Sequence, residues 1–241
     1  MVTLKMAIIF LMEQIRTPFS LIWTIMSPTV LFFFLHFNEI ELHYGDTAWL
    51  GKQISWFVGY ISFSVVLFNY CLYLVGRRES GFIATFVHNM DGRLLFIRSQ
   101  LIASLIMSIL YVFFFILVVL TEFQASPDYQ IVMIILKSIY INAFMMVSLT
   151  FMASFRVTFQ TASTIYSVLI TVCMVSGIVS LKYNEGIVYW INQVNPIAIY
   201  STILQSDQEL SLMTIFFYSI MLIISIISAL TFKTEPVWSS Q

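Results

Sequence analysis

Charge is what this sequence has least of. Asp, Glu, Lys and Arg make up 10% of its 241 residues, against roughly 25% in a soluble globular domain. So little charge cannot cover a water-facing surface, which excludes an ordinary soluble fold. Eleven basic and 12 acidic side chains leave a net charge of −1, without the basic footprint that nucleic-acid binding requires. Glycine and proline are also scarce, at 8 and 5, so there is no flexible or Pro-rich linker and no place for a second soluble domain. The two cysteines, Cys71 and Cys173, lie deep inside apolar runs, where they read as small buried hydrophobes and not as a disulfide or metal pair.

Catalytic groups are equally thin. The histidines are His36, His43 and His88, with no H-E-x-x-H or Cys/His ligand spacing. His36 and His43 flank Glu39 and Glu41 and could in principle hold a metal, but two interfacial histidines in an external loop are the better reading, and no metal site is expected. The nearest approach to a phosphate-binding loop runs from Gly45 to Gln53, with one residue too many between the glycines and Gln53 in place of Ser or Thr. An intramembrane enzyme needs acids, histidines or cysteines facing one another within its spans, and these spans supply no such set. No catalytic residue and no cofactor of its own is expected for this chain.

What is abundant is apolar surface, at 60% hydrophobic and 17% aromatic residues. A bilayer core about 30 Å thick is crossed by roughly 20 residues of helix, and six apolar runs qualify: 19–37, 54–75, 94–120, 131–155, 162–181 and 210–232. The expectation is an all-α integral membrane domain of six transmembrane helices. Lys5, Arg16, Arg77, Arg78, Arg93, Arg98, Arg156 and Lys233 then fall on one side, and only Lys52 and Lys182 on the other, with eight acids. Positive loops are retained in the cytoplasm, so both termini are expected there, in a multi-pass cell-membrane protein.

The flanking segments carry their own patterns. Lys5, Glu13 and Arg16 interrupt residues 1–17 and no small-residue cleavage site follows, so this stretch is not expected to be a removed signal sequence. Wound as a helix, those charges fall within about 80° of one another, the pattern of an amphipathic helix lying in the inner interface. The inner loop 76–93 is charged at its ends and apolar in the middle, fitting a short helix across the cytoplasmic mouth. On the other side, 186–204 is too apolar for a free loop and too interrupted for a span, which predicts a re-entrant or interfacial hairpin.

Polar residues within the spans stand out because burying them is costly. Lys137 either snorkels or pairs with Glu122 or Asp128, or else faces a substrate path or subunit interface. Asn69 and Asn142 are expected to bond between helices. Pro28 removes one hydrogen bond from the first span, as a static kink or a hinge.

This arrangement resembles the permease subunits of type-2 ABC exporters, over nearly the whole chain. An amphipathic N-terminal helix, six spans with both ends inside, a coupling helix between the second and third spans and an external hairpin before the last are shared. Glu79 followed by Gly81 matches the acidic residue and glycine of the family's inner loop, and Asn195-Pro196 resembles its asparagine-proline pair; the Asn89-Met90-Asp91-Gly92 stretch replaces a proline common in relatives. The resemblance implies a separate cytosolic ATPase holding ATP and Mg, pushing on Arg78, Glu79, Gly81, Phe82, Phe86, His88, Asn89 and Asp91. It implies a second permease subunit, identical or homologous, and a path lined by the first, second and fifth spans. Its implied cargo is an amphipathic peptide of the kind bacterial exporters of bacteriocins or phenol-soluble modulins carry. Lipid-linked polysaccharide or drugs are alternatives, and a non-transporting membrane scaffold or sensor is the reading from a different class.

Overall fold

The computed structural model describes residues 2–16, 18–83, 89–180, 185–205 and 212–232, without the side chains of residues 18–23 and 213. Those residues are helical with short connections, and no strand occurs among them. The helices are α1 (Val2–Ile15), α2 (Pro18–His36), α3 (Thr47–Glu79), α4 (Met90–Glu122), α5 (Tyr129–Ser154), α6 (Phe159–Ser180), α7 (Gly186–Val194), α8 (Pro196–Gln205) and α9 (Leu212–Leu230). Four of them, α3 to α6, are long and apolar enough to cross a membrane. The chain is thus an all-α, membrane-associated protein, and α2 and α9 follow the first and last apolar runs.

α3 is longer than its apolar run of 54–75. At 33 residues it spans about 50 Å, because the polar stretches at both ends continue the helix instead of leaving it. Asp46 starts it by accepting the Trp49 amide at 3.0 Å. That amide, and then the His43 ring, hold the Asp46 carboxyl below its ordinary range. Gly81, at φ +72°, ends it in the left-handed conformation that other residues adopt only at a cost, with its amide on the Arg78 carbonyl at 3.0 Å. Arg77, Arg78 and Glu79 are therefore the last turn of a long helix, which corrects their assignment to a loop beginning at residue 76.

The bundle has two unlike ends. At one lie Lys5, Arg16, Arg77, Arg78, Arg93, Arg98 and Arg156, seven of the nine described lysines and arginines; this is the basic end. The other holds the turns from Phe37 to Asp46, the α4–α5 connection and the α7–α8 hairpin, and is called the hairpin end. Buried residues of α3, α4 and α5 dominate the core between them, among them Phe57, Val58, Ile61, Leu67, Met107, Phe115, Met145 and Met146.

α1 lies against α4 through Ala7, Phe10 and Gln14, which recur on one helical face. Its opposite face exposes Val2, Leu4, Ile8, Ile9, Met12 and Ile15, an apolar surface suited to lipid. Close helix approach is allowed by glycine. A Cβ on Gly177 of α6 would stand 3.0 Å from the Trp56 indole nitrogen of α3, and one on Gly76 of α3 would stand 3.2 Å from the Phe159 ring of α6.

Candidate functional site

A groove of about 540 Å³ opens between α2, α3 and α6. Met26, Val30 and Phe34 of α2 form one wall at successive turns, Ile170 and Met174 of α6 another, and Tyr60 of α3 lies between them. The Ser27 hydroxyl comes within 3.4 Å of the Tyr60 hydroxyl, a polar bridge between α2 and α3. Met26, Val30 and Phe34 are more than half exposed, at 53%, 60% and 79%, so the groove is open along one side. Methionine and phenylalanine give it a soft, adaptable apolar lining. None of the described lining residues is an acid, histidine, lysine or cysteine, so the groove is built to hold apolar surface and not to do proton or nucleophile chemistry.

The basic end carries a second assembly. Glu13 of α1 pairs with Arg77 and accepts the Tyr73 hydroxyl at 2.6 Å. The Arg77 guanidinium also lies over the Phe82 ring, 4.8 Å from its centroid. Arg78 turns the other way and is 1% exposed. It donates to the Ala153 carbonyl at 3.1 Å and the Val157 carbonyl at 2.9 Å, with Glu79 Oε1 at 3.7 Å from its Nε. Its fork thus closes the C-terminal end of α5 and the turn into α6. For Arg78 this corrects the picture of a side chain presented to a partner: it is an internal tie between α3 and the α5–α6 connection. Asn89 caps α4, its Oδ1 accepting the Gly92 amide at 2.8 Å, and exposed Asp91 follows in the first turn. Phe86 and His88 lie outside the described residues.

The polar residues of the spans are distributed over different places. Asn142, fully buried, donates to the Ser108 hydroxyl at 2.8 Å and accepts the Tyr200 hydroxyl at 2.7 Å, joining α4, α5 and α8. Asn69 donates to the Tyr111 hydroxyl at 3.4 Å. Both therefore bond between helices, away from the groove. Pro28 is buried within α2, between the groove residues Ser27 and Val30. Lys137 is half-buried and lines a separate cavity between α3, α5 and α8.

The hairpin turns inside the bundle. Asn195 is 3% exposed; its Nδ2 donates to the Cys173 carbonyl at 2.8 Å, and its Oδ1 accepts the Ile197 amide at 3.0 Å. It is the N-cap of α8, with Pro196 in the first helical position, where a missing N–H costs nothing. A Cβ on Gly59 would fall 2.8 Å from Tyr200 Cβ and 2.9 Å from the Ile197 carbonyl oxygen. Gly59 lies about 18 Å along α3 from Thr47, so α8 starts deep and rises to the hairpin end, where Gln205 donates to the Lys52 carbonyl at 3.2 Å. Residues 186–205 thus form two helices whose turn, at Asn195, is buried in the bundle.

At the hairpin end each histidine takes its own carboxylate. His36 Nδ1 is 2.6 Å from Glu39, and His43 Nδ1 is 3.3 Å from Asp46 while its ring stacks on Trp49 at 4.1 Å. Among the described residues no three His, Cys, Asp or Glu side chains converge as metal ligands.

Several central residues escaped the sequence analysis. Gln100 and Ser104 both donate to the Asn69 carbonyl, at 2.6 and 3.0 Å, beside a π-helical segment of α3, Val65–Leu72. A search for uncharged runs passes over Gln and Ser, although a glutamine inside a span is as clear a signal as an asparagine. The groove residues have no polar signature at all, and only the packing of α2 against α3 and α6 singles them out. A comparison with models of known protein families gives no match.

Proposed function

We propose that this chain is the membrane-spanning permease subunit of an ATP-driven exporter of the type-2 ABC kind, carrying an amphipathic peptide or a similar membrane-embedded substrate outward. α2 and α9 join α3 to α6 as its six spans, and the basic end faces the cytoplasm, since positively charged segments are retained there. The observation that carries this reading is the groove. It is bounded by the first, second and fifth spans, where the resemblance calls for a path, and its Met26, Met174 and Phe34 lining favours apolar side chains over sugar rings.

The basic end supports a division of labour. A cytosolic ATPase with its own ATP and Mg pushes on the segment after α3, around Glu79 to Asp91. Arg77 passes the push to α1 through Glu13, and Arg78 passes it to the α5–α6 connection. α3 is itself one wall of the groove, so a tilt of its basic end is felt at Tyr60. A second permease subunit, identical or homologous, closes the open side of the groove, and no chemistry beyond binding is asked of this chain.

The test is co-purification of the chain with the ATPase encoded beside it, and an ATPase assay in lipid. A stable complex is expected, with assembly or turnover lost in Gly81→Arg and Phe86→Asp, and with substrate-stimulated turnover reduced in Met174→Asp while the complex stays intact. If no ATPase binds, or the loop variants behave like the parent, the exporter reading falls and a scaffold or sensor takes its place.

A further inference from the structure

α1 crosses the basic end of the bundle and does not follow its axis. The Ser99 hydroxyl of α4 donates to the Thr3 carbonyl at 3.1 Å, and the Phe10 and Phe96 rings meet at 5.4 Å. From Thr3 to Phe10, about 10 Å along α1, the contact thus moves only from Ser99 to Phe96, about 4.5 Å along α4. The two axes cross steeply. Further on, Glu13 reaches α3 at Tyr73 and Arg77. With α4 upright in a bilayer, α1 lies nearly flat in its surface.

A helix lying flat has distinct sides. At about 100° per residue, Ala7, Phe10 and Gln14 form the side buried against the bundle. Leu4, Ile8, Met12 and Ile15, all exposed, gather within about 80° of one another on a neighbouring side. Lys5 and Arg16 fall within about 20° of each other at the edge of that apolar side, roughly opposite the buried one. Both are exposed, and Arg16 extends the last turn with its amide on the Met12 carbonyl at 3.2 Å. Val2 and Ile9 flank them on the far side. Each cation therefore has apolar side chains around its stem and a polar need only at its tip.

The charge that α1 shows outward is positive. Its one acid, Glu13, turns to Arg77 and Tyr73, and Lys5 and Arg16 form no ion pair among the described residues. The two cations stand about 16 Å apart along the helix, too far to share one small anion.

We propose that α1 docks on a bilayer surface of acidic phospholipid, with Leu4, Ile8, Met12 and Ile15 among the first acyl methylenes and Lys5 and Arg16 each at the phosphate of a separate lipid. Charge complementarity chooses this occupant. An apolar protein partner would bury both cations without an anion, whereas an acidic leaflet supplies anions at the depth where the apolar side of α1 ends. The surface does not depend on the exporter reading: it needs only that α4 crosses a bilayer, and a scaffold would carry it equally.

The experiment uses the full chain in nanodiscs of equal phosphatidylglycerol and phosphatidylcholine, with a fluorophore on Met12→Cys; Cys71 and Cys173 are buried and stay unlabelled. Bromine on the acyl tails quenches the fluorophore on contact, and paired samples carry it on one lipid or the other. Brominated phosphatidylglycerol is expected to quench more strongly, to the extent of an enrichment of about fivefold beside α1. The two lipids quench alike in Lys5→Gln with Arg16→Gln, their order reverses in Lys5→Glu with Arg16→Glu, and the preference stays in Lys52→Gln at the hairpin end. Both positions are exposed, so these exchanges leave the packed side of α1 intact. Equal quenching in the parent, or a preference that survives the double glutamine variant, overturns the proposal. Quenching by neither lipid also overturns it, in favour of a protein partner on this face. No ATPase is present in the sample, so failure of the exporter reading leaves the result unchanged.

Discussion

Asn195 uses both halves of its amide, the oxygen to start α8 and the nitrogen to hold the Cys173 carbonyl of α6. Asn195→Ala removes a helix cap and a buried interhelical bond, and a loss of about 1–2 kcal/mol is expected, read as a lower thermal midpoint of the purified chain. Asn195→Asp keeps the cap but not the donor, and should fall between the two. Arg78 is more demanding, because its two carbonyls belong to Ala153 and Val157. A lysine offers a point charge where a planar fork is needed, so Arg78→Lys should destabilise nearly as much as Arg78→Met, by on the order of 2–3 kcal/mol. Full rescue by lysine in the same thermal assay would show that charge alone matters there.

α3 is the element on which the others converge. Its π-helical segment, Val65–Leu72, widens the helix and displaces carbonyls from their usual partners. Gln100 and Ser104 of α4 meet one of these, that of Asn69. Replacing both, as Gln100→Leu with Ser104→Ala, leaves that carbonyl unsatisfied at a cost of about 1–3 kcal/mol. Amide hydrogen exchange is expected to quicken across residues 65–72 and not across α6; unchanged exchange would mean that the donors follow the π segment without supporting it. The α3–α8 contact offers a steric test. At Gly59 a new Cβ meets another Cβ and a backbone oxygen, neither of which can swing away. Gly59→Leu should push α8 out and break the Tyr200–Asn142 bond, costing about 1–3 kcal/mol and opening residues 186–205 to protease.

At the scale of the whole molecule the separation of charge between the two ends predicts topology. With Cys71 and Cys173 buried and unreactive, a membrane-impermeant maleimide should label Lys52→Cys in intact cells and Arg156→Cys only after the membrane is opened. The reverse pattern would invert the protein and put its basic end outside.

The sequence by itself determined what depends on composition and local pattern. Runs of about 20 apolar residues can satisfy their backbone in lipid only as helices, so the places of α4, α5 and α6 were legible to within four residues at each end. Asn195-Pro196 and Gly81 stood out in the sequence only as matches to a family pattern; the structure makes them a helix start and a helix stop, for which caps and left-handed turns need those residue types. Tertiary structure decided everything that turns on which face meets which neighbour. It sent Arg78 inward, sank the Asn195 turn into the bundle, brought Lys52 and Lys137 to one cavity and opened a groove between α2, α3 and α6. The reason is that a helix apolar on all sides carries no mark of its buried face. Only the positions of glycines and buried amides, matched between helices distant in sequence, select the one arrangement in which close approaches and hydrogen bonds are met together.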